Sequence, residues 1–294
     1  MTQLKKSNVL LILLLTTYCS FAQLGDLVKL EYTQIPQKDS RNQFKRINTL
    51  FKYPIKIQED AYLVPGISYK NVQFDLTKDW DFDNENIDEF HFFETTLGYT
   101  YLLKNKNWRV GSEVGVGISS NFETSGTTSN DYVYTVSAYA IHRKRFDYDN
   151  KKRVWILGIR FATDFGTPFP IPVATYNKQW RAEWETNIGV PKSNIKYMPN
   201  DRHTFEAFAS LDGFYGNIQR NVQTPEGIGS NVSMTLVYSG LKYEYVVREY
   251  VFFYTEVGHT LLNRIRFRDG SNEVIFTLND KNTFYFRTGI KVKI

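Results

Sequence analysis

The stretch Asn282–Ile294, NTFYFRTGIKVKI, puts Phe284, Phe286, Thr288, Ile290, Val292 and Ile294 on one parity. Tyr285, Arg287, Gly289, Lys291 and Lys293 fall on the other. A period of two with one apolar and one polar face spells a β-strand. At the margin of an open sheet such a strand would offer unpaired backbone groups to other chains. In a closed barrel the last strand pairs with the first and no edge remains. The stretch is therefore expected to be a closing strand.

The same alternation recurs upstream. In 47–57, Ile47, Thr49, Phe51, Tyr53, Ile55 and Ile57 oppose Arg46, Asn48, Lys52 and Lys56. In 108–118, Trp108, Val110, Val114, Val116 and Ile118 oppose Arg109, Gly111, Glu113, Gly115 and Gly117. Trp180, Ala182, Trp184, Thr186 and Ile188 read as one face of a strand over 180–188, and 251–267 keeps Val251, Phe253, Val257, Leu261, Ile265 and Phe267 in phase. These runs reach the ~9–11 residues of a tilted membrane-crossing strand, against about 5–6 for an ordinary one. The expected strands are 27–35, 46–57, 61–76, 89–103, 108–119, 131–145, 153–163, 174–188, 203–213, 231–245, 250–267 and 283–294. The fold class is thus all-β, a transmembrane antiparallel up-and-down β-barrel of about 12 strands. The number becomes 14 if NIGVPKSNIKYMPND conceals a further hairpin. Pro168, Pro170 and Pro172 make 166–202 the hardest part to read, since proline cannot donate to a ladder. Short connections at 104–107 and 247–250 alternate with long polar ones at 77–89, 120–131 and 268–282, as in bacterial barrels.

Composition agrees. Aromatic residues make up 16% of the chain, yet mean hydropathy is −0.40 and no stretch after the first twenty residues is apolar enough for a membrane helix. Many aromatics with much polarity suit a barrel that shows lipid only alternate residues between aromatic girdles. Residues 1–22 read as a cleaved signal peptide: Lys5 and Lys6, the apolar run Val9–Leu15, then Ser20 and Ala22 before the cut. Residues 23–294 are then one barrel domain of the outer membrane of a Gram-negative bacterium. Cys19, the sole cysteine, leaves with the signal, and the bulky Tyr18 before it argues against acylation there. Without Lys5 and Lys6, Lys+Arg falls from 36 to 34 against 31 acidic residues, too slight an excess to indicate nucleic acid. The partners expected are outer-membrane lipids and lipopolysaccharide, a small solute, and the barrel assembly machinery. The closing strand resembles the terminal signal that this machinery reads.

The segment PIPVATYNKQWRAEWETNIGVPKSNIKYMPNDRHTFEAFASLDG, through Pro172, Tyr176, Trp180, Pro191-Lys192-Ser193, Tyr197 and Gly213, resembles a family of outer-membrane β-barrels of Bacteroidota recorded as a domain of unknown function. The signal ending FAQ is similar to those of exported Bacteroidota proteins. The resemblance implies location and fold, and it brings no catalytic or binding residues.

Candidate functional residues lie on the polar parity. Arg109, Glu113, Arg160, Arg181, Glu183, Glu185, Glu206, Glu256, Arg264, Arg266 and Arg287 are expected to face the lumen. They would serve either as paired charges filling a narrow barrel or as the lining of a pore or ligand cavity. Asp79, Asp81, Asp83 and Glu85 alternate as in a calcium loop, but Asn84 and Phe90 stand where such a loop needs Gly and Glu. An outer-membrane lipase would need a serine beside one of His91, His142, His203 or His259. No serine motif adjoins them, and His259 and Asn263 are four strand residues apart. No metal-ligand spacing, phosphate loop or cofactor motif is present, so a non-enzymatic protein without cofactor is expected. The function class is porin-like passage or binding of a small solute. A closed structural or surface-interaction barrel, a lipid-modifying enzyme and a soluble β-sandwich are the competitors.

Overall fold

The computed structural model describes residues 25–36, 43–75, 82, 87–124, 126–145, 152–163 and 165–293. The segment 1–24 with Cys19, the carboxylates Asp79, Asp81, Asp83 and Glu85, and Ile294 lie outside the described residues. Among the described residues sixteen strands form: β1 (Asp26–Pro36), β2 (Gln43–Lys52), β3 (Ile55–Gln58), β4 (Ala61–Asp75), β5 (Glu89–Leu102), β6 (Trp108–Ser120), β7 (Tyr132–Arg145) and β8 (Lys152–Ala162). They continue with β9 (Phe169–Gln179), β10 (Trp184–Val190), β11 (Lys192–Asn200), β12 (His203–Thr224), β13 (Gly227–Arg248), β14 (Val251–Arg268), β15 (Val274–Asn279) and β16 (Phe284–Lys293). A 3₁₀ turn, Ser129–Asp131, is the only helical element among the described residues.

Fourteen strands make a closed antiparallel ring; β3 and β15 are short additions paired to β4 and β14. The terminal stretch closes it, with Leu30 opposite Ile290, Tyr32 opposite Thr288, and Val257 opposite Phe286 on the other side. The count is fourteen rather than twelve because 174–188 is not one strand. Residues 180–183 turn between β9 and β10, with Trp180 N–H donating to Trp184 O at 2.9 Å, and β11 follows directly. The turn leaves Trp180 and Trp184 on one parity, so periodicity does not register it. Above the Val190–Ala174 pair, β9 has only β8 beside it, and Pro170 and Pro172 occupy this edge position, where a missing donor is tolerated.

Polarity inverts partway up the tall strands. Toward the end that holds Gly25 and Lys293, outward residues are apolar and inward ones polar: Val28 and Leu30 against Lys29 and Glu31, Ile47 and Phe51 against Asn48 and Lys52, Leu97 against Thr96. Toward the far end the sense is reversed. Val72 and Phe74 are buried inside while Asn71 and Gln73 face out; Phe90 and Phe92 are inside with Glu89 and His91 outside; Val232 and Met234 face in. On β14 a bulge near Leu261 accomplishes the switch. Tyr238 pairs with Thr260 but Val237 with Leu262, so Asn263, Ile265 and Phe267 turn inward. The barrel thus has an inside-out lower zone and an upper cap with the polarity of a water-soluble protein.

The cap is narrower than the zone below. The β10–β11 hairpin turns at Pro191, and β11 leaves β12 after Lys192 opposite Ser210. Higher up, β12 crosses to β6 instead, with Asn217 beside Ser120, Ser119 Oγ donating to Tyr215 O at 2.6 Å and Ser120 Oγ to Asn217 O at 3.2 Å. Asp131 fastens this seam, accepting from Thr128 N–H (2.5 Å), Asn217 Nδ2 (2.8 Å) and Gln219 Nε2 (2.9 Å). Burial opposes charge on Asp131, and the hydrogen bonds from Thr128, Ser120, Gln219 and Asn217 outweigh it, holding its carboxyl below the usual carboxylate range. With β7–β11 left out, nine strands circle the cap. A ring near eight strands is narrow enough for side chains to fill, whereas a wider one leaves space. The cap is accordingly packed: Phe90 meets Phe74 and Phe214 edge-on at 5.8 Å each, and Ile35, Phe44, Ile218, Leu236 and Phe267 complete a buried apolar core.

Candidate functional site

Below the cap, inward charges replace the apolar core. Asp212 on β12 receives both prongs of Arg46 from across the lumen, Nη1–Oδ1 at 2.9 Å and Nη2–Oδ2 at 2.6 Å. Arg287 on the closing strand shares the same carboxylate at 2.6 Å, donates to Tyr238 Oη at 2.7 Å and to Thr33 Oγ1 at 3.0 Å, and lies 3.5 Å from Glu256. Glu31 accepts from Tyr254 Oη at 2.6 Å and stands within ion-pair reach of Arg287 and Lys29. Tyr254 can lie flat to the wall because its cross-strand partner is Gly289, where a Cβ would meet its hydroxyl at 2.8 Å. The two-pronged Arg46 contact and the shared Arg287 contact make this the most densely bonded charge cluster described in the interior.

Toward β6–β11 the charges are looser. Glu113 bridges Lys52 (2.6 Å) and Arg160 (3.0 Å), Glu185 meets Lys196 (3.2 Å), and Glu206 meets Lys192 (2.6 Å). Nearer the lower rim Glu244 collects Lys242, Lys291 and Lys293. Three cavities run through this side. The first, about 350 Å³, is bounded by Arg46, Asp212, Glu113 and Arg160. The second, about 340 Å³, shares Lys52, Glu113 and Arg160 with it and continues to Arg109. The third, about 430 Å³, shares Ile141 and Ile156 with the second and reaches Arg143, Glu185 and Lys196. The three cavities therefore lie side by side with shared walls, from mid-height toward the lower end.

Of the expected lining residues, Arg109, Glu113, Arg160, Glu185, Glu206, Glu256 and Arg287 point inward. Arg181 and Glu183 do not: they are exposed in the turn that interrupts the expected 180–188 strand. Arg264 and Arg266 do not either, since the bulge near Leu261 sends them to the outer face of the cap. Five participants in the central cluster, Glu31, Arg46, Asp212, Tyr238 and Tyr254, were absent from the expected set. Their signal was available in part: Glu31 and Arg46 alternate with apolar residues as clearly as Arg109 does.

All four histidines face outward among aromatic residues: His91 by Tyr69, His142 by Trp108, His203 by Tyr243, and His259 by Phe284. Ser239 is opposite His259 in the ladder, yet no hydrogen bond joins them, and His259 Nδ1 contacts Thr260 O at 2.7 Å. Among the described residues no group of three His, Cys, Asp or Glu side chains is arranged to hold a metal.

A closed ring with an apolar outer zone, aromatic pairs such as Trp155–Tyr176 and Trp184–Tyr197 near one margin, and a charged interior defines a β-barrel of membrane type. The chain belongs to the family described as a domain of unknown function, DUF6268, whose model matches residues 17–293. No curated protein matches it in sequence. Among solved structures it is similar to the KdgM porin in complex with disordered oligogalacturonate, at 10% identity and TM-score 0.38 over 91% of this chain and 99% of that one. It is also similar to an outer membrane channel from Pseudomonas putida F1, at 10% identity and TM-score 0.40 over 95% and 100%. A third is outer membrane phospholipase A from Escherichia coli, at 11% identity and TM-score 0.37 over 91% and 92%.

Proposed function

We propose that this chain is an outer-membrane barrel of porin-like design that binds or passes a small polar solute in the lumen below its cap. The carrying observation is the pairing of an apolar outer zone with a series of adjoining, charge-lined interior cavities at the same height. Both described ends of the chain, Gly25 and Lys293, lie at the lower rim beside short turns, which supports a periplasmic lower end. The filled cap favours a second reading, a barrel closed to ions and serving as a structural or surface-contact element.

Planar-bilayer recording separates the two. The first reading expects discrete steps from the wild-type protein, or from a variant whose cap core is thinned, and entry of a small solute in liposome swelling. Folded, inserted protein that stays silent in both forms and excludes solute would leave only the closed barrel.

The membrane zone has its own test. Leu241, opposite Val257 on the outer wall, is 64% exposed and lies within the apolar zone. Leu241→Lys is expected to destabilise the vesicle-inserted barrel by roughly 2–4 kcal/mol in urea unfolding. Gln73→Lys, on the polar exterior of the cap, is expected to stay within about 0.5 kcal/mol of wild type. Equal costs at both positions would remove the lipid assignment.

A further inference from the structure

The three cavities are lined by nine cationic side chains and five acidic ones. Most of the cations above have a carboxylate partner, although Lys52 and Arg160 must share Glu113. Two have none. Arg109 and Arg143 project inward from neighbouring strands, diagonal in the ladder because Arg109 is opposite Ile141. Neither forms an ion pair among the described residues. The Arg109 guanidinium lies 5.8 Å from the Tyr62 ring, and Arg143 Nε is buried without a hydrogen-bond partner. Diagonal neighbours on a sheet sit about 7–8 Å apart, near enough for one multivalent anion to meet both. A buried guanidinium donor without an acceptor is costly, and a carboxylate or phosphate would supply the acceptor in bidentate geometry.

We propose that Arg109 and Arg143 form an anion-binding site in the lower lumen, and that the solute class is a small molecule bearing carboxylate or phosphate groups. This rests on the reading of the lumen as a space open to solute. Upward, Lys52 and Arg160 flank the single carboxylate of Glu113, so the wall between the arginine pair and Glu31 and Asp212 still carries more positive than negative charge.

The test is calorimetric titration of citrate into the full-length protein in detergent, with sucrose as the neutral probe. Citrate is expected to bind the wild type and sucrose not to. The Arg109→Gln/Arg143→Gln variant should bind citrate at least tenfold more weakly while retaining the heat-modifiable gel mobility of a folded barrel. Arg264→Gln, on the outer face of the cap, should bind as wild type does. Absence of citrate binding to the wild type, or equal binding by the double variant, overturns the site. Bilayer recording keeps the two readings apart. Citrate binding without conductance upholds the site while removing passage; steps without anion preference and without citrate binding uphold passage and remove the site.

Discussion

Replacing Asp212 by alanine is expected to destabilise the barrel by about 3–5 kcal/mol, the cost of breaking a buried ion pair from one side. The reason is specific to its position. One carboxylate answers two guanidinium groups, with Arg46 in two-pronged contact and Arg287 on the other flank. Arg46 is 3% exposed and Arg287 7%, so both guanidinium groups stay largely desolvated when the carboxylate is lost. Arg287 would keep Glu31 and Glu256, but Arg46 would retain only Glu31 at 3.9 Å and the Gly213 carbonyl at 3.4 Å. The interaction also joins β2, β12 and the closing strand across the lumen, so its loss weakens closure as well as local order. Urea unfolding in detergent, followed by tryptophan fluorescence, measures it. Arg46→Met together with Asp212→Leu is expected to recover part of the loss, because removing both partners leaves less uncompensated charge. A loss below about 1 kcal/mol for Asp212→Ala would mean that water reaches the cluster freely.

The second large effect is expected at Phe90. It is fully buried and packs edge-on against Phe74 and Phe214, from β4 and β12, at the centre of the cap core. Phe90→Ala is expected to cost about 3–5 kcal/mol, the usual range for emptying an aromatic site in a packed core. It bears on function as well as stability, because the cap core stands between the charged lumen and the far end. If the lumen is a route, Phe90→Ala should raise the frequency or size of conductance steps relative to wild type. Unfolding and recording on the same preparation distinguish a thinned core from a disordered barrel. Large steady steps already present in the wild type would contradict the filled cap.

The barrel and its closure were legible in the sequence because alternation over ten or more residues is a local property. The run 108–118 gives its strand, its two faces and Arg109 and Glu113 without tertiary information. The same reasoning misplaced Arg264 and Arg266, because one extra residue near Leu261 exchanges the faces and periodicity alone does not locate a bulge. It misplaced Arg181 and Glu183 because a turn can preserve parity. The cap was not legible for a different reason. Asn71, Val72, Gln73 and Phe74 alternate cleanly, but alternation does not say which face is inside. That is decided by β12 reaching across to β6, a contact between residues nearly a hundred positions apart. Asp212 was missed on similar grounds, since its partners come from both ends of the chain.

The reversal of polarity also sets how far the wettable wall extends. From Asn71 to Asp75 strand β4 continues for about 13 Å, at the usual rise per residue, after its outer face has turned polar. The described cap strands therefore stand clear of the apolar zone as a stiff, wettable mast. An approaching macromolecule would touch this pedestal first, with the apolar band a further step below.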